Sequence, residues 1–190
     1  MEKTICLEKI LNEIKVKHTD SLTKKQIDKV IGKAWDSFAF WDADLCASIE
    51  NNYETGYFKS PPESAYQDIK ERLTPLVEKY CDKEIYLGIA IRNLAFSPGS
   101  IGEKYLKKAG LDEKSEMLIR AEAGARSWAS SYYDFCKSHP HGTFNSRDDL
   151  NLRLIESKRE KAEEYYKSAG LPPNEIGKRI NKHKKAYFKN

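Results

Sequence analysis

The stretch Asp112–Lys137, DEKSEMLIRAEAGARSWASSYYDFCK, constrains the fold more than any other part of the chain. Met117, Leu118, Ala121, Ala125, Trp128, Ala129, Tyr132 and Phe135 recur at spacings of one, three and four. At about 3.6 residues per turn, those spacings gather them into one apolar stripe along a long helix. The stripe is mostly small. Ala121, Gly124, Ala125 and Ala129 leave little side chain between this helix and its neighbours, so other helices can approach closely while Trp128 and Tyr132 fill the remaining space.

The rest of the chain reads as helices suited to pack around that element. Ile5, Leu7, Ile10, Leu11 and Ile14 form one face of a short amphipathic helix. Leu22-Thr23 with Gln26 has the chemistry of a staple and a capping box. It opens a long helix carrying Ile27, Val30, Ile31, Ala34, Phe38, Trp41 and Leu45 on one face, with Trp35 and Phe40 widening it. Ser60-Pro61-Pro62-Glu63 marks another start, and Pro75 is expected to kink or split the helix that follows. EIYLGIAIRNLAF, residues 84–96, alternates like a strand, but the chain holds no second segment to pair with it. A lone strand would leave backbone groups unsatisfied, so the segment reads as a buried helix. After a Ser97-Pro98-Gly99-Ser100 turn, IGEKYLKKAG forms a short helix stopped at Gly110. Residues 148–169 form a helix with a polar middle, whose ends at Leu150, Leu154, Tyr165 and Tyr166 are expected to pack. A final basic helix opens at Leu171-Pro172-Pro173. With 190 residues, enough for one well-buried core, the expected fold is a single all-α domain over 1–190. It is a bundle of about seven to eight helices around the central small-residue-rich one.

Composition narrows the class further. Hydrophobic residues at 39% and charged residues at 33% make the chain too apolar for general disorder and too charged for a membrane protein. No run approaches the ~18 apolar residues of a bilayer crossing. The start, MEKTICLEKILNEIKVK, mixes acids with lysines where a signal peptide would be apolar, so a cytoplasmic location is expected. Cys6, Cys46, Cys81 and Cys136 are widely spaced, without a CxxC pattern, and read as reduced, buried small residues.

The net charge of +4 is concentrated at one end. After Glu175 the chain holds Lys178, Arg179, Lys182, Lys184, Lys185 and Lys189 and no acid, which leaves the preceding residues slightly acidic. Residues 176–190 therefore form a basic C-terminal helix or tail, with Lys178, Arg179, Lys182 and Lys185 facing outward to meet phosphates or an acidic protein. A second basic set, Lys104, Lys107 and Lys108, lies on the second helix of a loose helix-turn-helix layout over 89–110. Polar pocket candidates are Asp42 and Arg92, which could pair in an apolar setting, and Arg120, Ser127 and Asp134, with Ser131, on the side of the central helix opposite its stripe.

Catalytic signatures are missing. His139 and His141 precede Asp148 and Asp149 without helical ligand spacing, so no metal and no cofactor is expected. Arg92-Asn93 opens like the RNxxxH motif of HEPN ribonucleases, but Ser97 stands where the histidine base would be. There is no phosphate-binding glycine loop, GxSxG or HExxH. The expectation is a small non-enzymatic accessory or regulatory protein that binds a protein partner or nucleic acid. The alternative is an enzyme with a polar pocket near Arg92 and Arg120. Eleven tyrosines leave room for a homo-oligomer interface.

Overall fold

The computed structural model describes residues 7–15, 25–27, 29, 38–57, 63–96, 100–140 and 145–188. Among them the chain forms eight α-helices and no β-strand, so the fold class is all-α. In order these are α1 (Leu7–Glu13), α2 (Phe38–Glu54), α3 (Glu63–Lys79), α4 (Asp82–Phe96), α5 (Ser100–Lys108), α6 (Glu113–Ser138), α7 (Ser146–Ser168) and α8 (Pro173–Phe188). The helix starts expected at Thr23 and Ser60, the turn at 97–99, and His141 lie outside the described residues. No helix among the described residues is long and apolar enough to cross a membrane. The contacts divide the chain into two compact units, residues 1–93 with 98–111 and residues 94–97 with 112–190.

In the first unit, α2 packs against α3, and α1 and α5 lie against α2. The ambiguous segment is helical because it is buried all round: Ile85, Leu87, Ile89, Ala90 and Ile91 are each removed from solvent. Alternation carries no strand information when every face of a helix is covered. Gly88 of α4 seats the ring of Phe40 directly against the helix backbone. Phe40 is fully buried whereas Trp41 is 49% exposed, which corrects the expectation that Trp41 shares the apolar face and Phe40 only widens it. Pro75 lies inside α3 without dividing it, and the neighbouring Thr74 hydroxyl donates back to the Lys70 carbonyl at 2.8 Å. Gly110 closes α5 with φ +60°, a conformation that costs glycine little.

In the second unit, α6 packs along α7 and also against α8. The side chain of Asp112 caps α6 by accepting from the Ser115 amide at 2.8 Å, and Asn145 with Asp148 forms a reciprocal capping box on α7. The small-residue stripe is the core: Leu118, Ala121, Ala125, Trp128 and Ala129 cluster with Ala162, Tyr166, Leu171, Ile176 and Ile180. A Cβ on Gly124 would lie 3.3 Å from that of Ala162, so α6 and α7 meet there with little side chain between them. The packed positions of α7 are thus Ala162 and Tyr166 in its C-terminal half, while Leu150 and Leu154 are exposed, contrary to expectation.

Candidate functional site

Two buried polar clusters and one basic face define what the chain can do chemically. The first cluster centres on Glu122 of α6, which is 5% exposed and reaches two groups on α8. Arg179 Nη1 donates to Glu122 Oε1 at 2.6 Å, and His183 Nε2 lies 2.6 Å from Glu122 Oε2. An ionised carboxylate only accepts, so Nε2 is the protonated ring nitrogen. Arg179 also donates to Glu175 on its own helix, at 3.2 and 3.3 Å. Burial alone would raise the Glu122 carboxyl, but the hydrogen bonds and charges of His183 and Arg179 outweigh it and hold the group below the usual carboxylate range. The cluster fixes the inner face of α8 to α6.

The same contacts correct the reading of Arg179, which is turned inward to a buried acid. The sequence carries a signal for this arrangement: His183 follows Ile176 and Ile180 at helical spacing, and Glu122 follows Leu118 by four residues, so both occupy stripe positions. Lys178, Lys182 and Lys185 are exposed with Asn181 on the opposite face of α8, beside a shallow cavity of about 470 Å³. Among the described residues no carboxylate forms an ion pair with these three lysines. Lys184 lies instead 4.8 Å from the Tyr132 ring centroid. Aromatic contacts secure the end of the helix, with Arg126 over the Tyr187 ring at 4.6 Å and Tyr133 edge-on to Phe188.

In the first unit, Glu50 is 1% exposed and gathers the Leu7 amide at 2.8 Å, the Tyr105 hydroxyl and, at 3.5 Å, Lys104 Nζ. These contacts tie α1, α2 and α5 together. Burial and the Glu50 charge push the Tyr105 hydroxyl far up, so it stays protonated and donates. Removing that donor by Tyr105→Phe is expected to cost about 1.5–3 kcal/mol in urea unfolding, because the buried carboxylate loses a partner. A cost below about 0.5 kcal/mol would show that the hydroxyl is dispensable. Of the second basic set, Lys104 pairs with Glu54 at 2.7 Å, Lys108 lies 3.5 Å from Glu8 and over the Tyr105 ring, and Lys107 is exposed. Two of the three lysines of the helix-turn-helix reading therefore pair with acids of their own unit.

Within each unit the polar pocket candidates take separate partners. Asp42 pairs with Arg72 at 3.3 Å, while Arg92 pairs with Asp44 at 3.4 Å. Two residues advance a helix by about 200°, so Asp42 and Asp44 point to different neighbours and the expected Asp42–Arg92 pair does not form. Asn93 donates to Asp44 and to the Ile89 carbonyl. Burial raises the Asp44 carboxyl against the opposing pull of Asn93 and Arg92. On α6, Arg120 is held by Glu116 at 2.5 Å, Ser127 is half-buried, Ser131 accepts from Lys158 at 3.0 Å, and Asp134 is exposed.

His139 closes α6, stacks on Phe135 and approaches Asp148 at 3.2 Å. Among the described residues no group of three or more His, Cys, Asp or Glu side chains is placed to hold a metal ion. Cys46 and Cys81 are buried, and burial pushes the Cys46 thiol up to about 12. Comparison with protein-family models, with curated proteins and with solved structures gives no match.

Proposed function

We propose that the chain is a small non-enzymatic accessory protein that binds the phosphate backbone of nucleic acid along the outer face of α8. The observation that carries this reading is the division of the helix into two charged faces. Arg179 and His183 are committed to Glu122, whereas Lys178, Lys182 and Lys185 remain exposed with no ion-pair partner among the described residues. Their seven-residue span covers about 10 Å of helix axis. That length matches about three phosphate-to-phosphate steps along one strand of a duplex. Lysines act here as point charges, which favours backbone contact over base reading.

The test is a fluorescence-anisotropy titration of labelled oligonucleotide across ionic strength. With three phosphates neutralised, affinity is expected to fall about 20- to 40-fold between 50 and 200 mM salt. Charge reversal in K178E/K182E/K185E is expected to abolish binding while leaving the circular dichroism spectrum unchanged. Salt-independent binding, or full affinity in the triple variant, would sink the proposal. Binding to an acidic polypeptide but to no oligonucleotide would assign the face to a protein partner instead.

A further inference from the structure

Two leucines of α7 stand outside the bundle they belong to. Leu150 and Leu154 are 58% and 57% exposed. Four residues apart, they share one face of the helix, turned away from buried Ala162 and Tyr166. At spacings of three and four that face continues through Arg147, Ser157, Lys161 and Glu164, the heptad pattern by which one helix seats against another.

Charges beside this seam are sorted along the helix. Arg147 and Arg153 lie in its N-terminal half, Glu160 and Glu164 in its C-terminal half, and all four are exposed. Among the described residues none of the four enters an ion pair, although Arg159 beside them bridges Glu156 and Glu163. A helix charged in this way is complementary to a copy of itself running in the opposite direction, the arrangement a two-fold axis produces.

The same charges set the register. Placing Leu154 opposite Ser157 of the second copy puts Arg147 opposite Glu164. Arg153 and Glu160, seven residues apart and therefore on the same flank, then meet each other across the axis. Leu154 lies about 2 Å along the helix from that axis, so the two copies of its side chain touch at the centre. Lys161 falls opposite Leu150, where its stem covers the leucine and its ammonium reaches Asp149. Lys158 is on the other flank, held to Ser131 at 3.0 Å. A parallel pair would instead set Arg147 on Arg147 and Glu164 on Glu164. An antiparallel pair shifted to put Leu150 opposite Leu154 would bring Arg153 against Arg153. We infer that two copies of this chain associate through the outer face of α7, antiparallel, with Leu154 at the centre and Arg153 paired to Glu160 on each side. This surface is separate from the lysine face of α8, and the inference does not depend on what that face binds.

One helix pair is smaller than a standard interface of about 1,600 Å², so the association is expected to be weak. In equilibrium sedimentation of the full chain, the mass is expected to rise from that of one chain towards that of two between about 10 and about 500 µM. Exposed ion pairs are screened by salt, so the dissociation constant is expected to rise about three- to tenfold on going to about 1 M salt. R153E sets like charges against each other and is expected to weaken association at least about tenfold. R153E/E160R exchanges the two charges and is expected to restore it to within about threefold. Leu154→Lys is expected to leave a single chain at every concentration. These positions are exposed, so the circular dichroism spectrum is expected to stay unchanged in each variant. A one-chain mass for the unaltered protein throughout would overturn the inference. So would a dimer that R153E leaves intact, one that the exchanged pair does not restore, or a mass beyond two chains. Should R153E fail to fold, the salt dependence and Leu154→Lys decide.

Discussion

Replacing Glu122 by leucine is expected to lower the unfolding free energy by about 3–5 kcal/mol, the usual result of removing one member of a buried ion pair. The loss comes from what remains: Arg179 and His183 would keep their positions against α6 without the carboxylate that compensates their desolvation. Because Arg179 is 20% exposed and retains Glu175, the lower end of that range is the better figure. Urea unfolding measures the loss, and hydrogen exchange across α6 and α8 locates it. A shift below about 1 kcal/mol would mean that apolar contacts alone hold α8.

The pH dependence follows from the direction of the Glu122 shift. The folded carboxyl releases its proton more readily than the unfolded one, so its contribution is fully present above the ordinary glutamate value of about 4.3. It is lost as pH falls through the lower folded value. The stability gap between the natural protein and Glu122→Gln is therefore expected to be constant near neutrality and to shrink below about pH 4. A gap that widens in acid would contradict the assignment.

Gly88→Ala is the second large effect, and its sign is opposite to helix propensity. An exposed glycine-to-alanine change inside a helix would stabilise by about 1 kcal/mol. Here the new Cβ would fall 2.0 Å from Phe40 Cδ1 and 2.7 Å from Cε1, far inside van der Waals contact. The ring is fully buried, so relief requires movement of α2 or an unfavourable rotamer. The expected cost is about 1–3 kcal/mol or more. Adding Phe40→Leu, which removes the atoms that clash, is expected to recover part of that loss relative to Phe40→Leu alone. Thermal unfolding of the two single variants and the double variant checks this, and a Gly88→Ala protein as stable as the natural one would refute the close approach.

Much of the helical content was legible because its signals are local. The stripe on α6 and the Gly110 and Gly170 stops arise from residues a few positions apart, and both glycines hold a positive φ at a helix end. The strand-like alternation at 84–96 was resolved by a survey of the whole chain, which holds no partner strand to satisfy the backbone groups of that segment. The candidate site was less legible. Lys178, Lys182 and Lys185 were found by their charge, but Arg179 was grouped with them although it faces inward.

Pairing between distant residues is the common element in what was missed. Glu122 meets groups 57 and 61 residues away, and Glu50 accepts from a hydroxyl 55 residues away. Asp44 takes Arg92 in place of Asp42 because a rotation of two residues selects a different neighbour. Periodicity states which side of a helix is apolar, and so by itself the sequence determined most of the described helices, the stops at Gly110 and Gly170 and the basic character of the last helix. Which helix covers each side, and therefore which acid neutralises which base, depends on packing over long separations. Only the tertiary structure decided that one face of α8 is latched to Glu122 while the other keeps its lysines exposed.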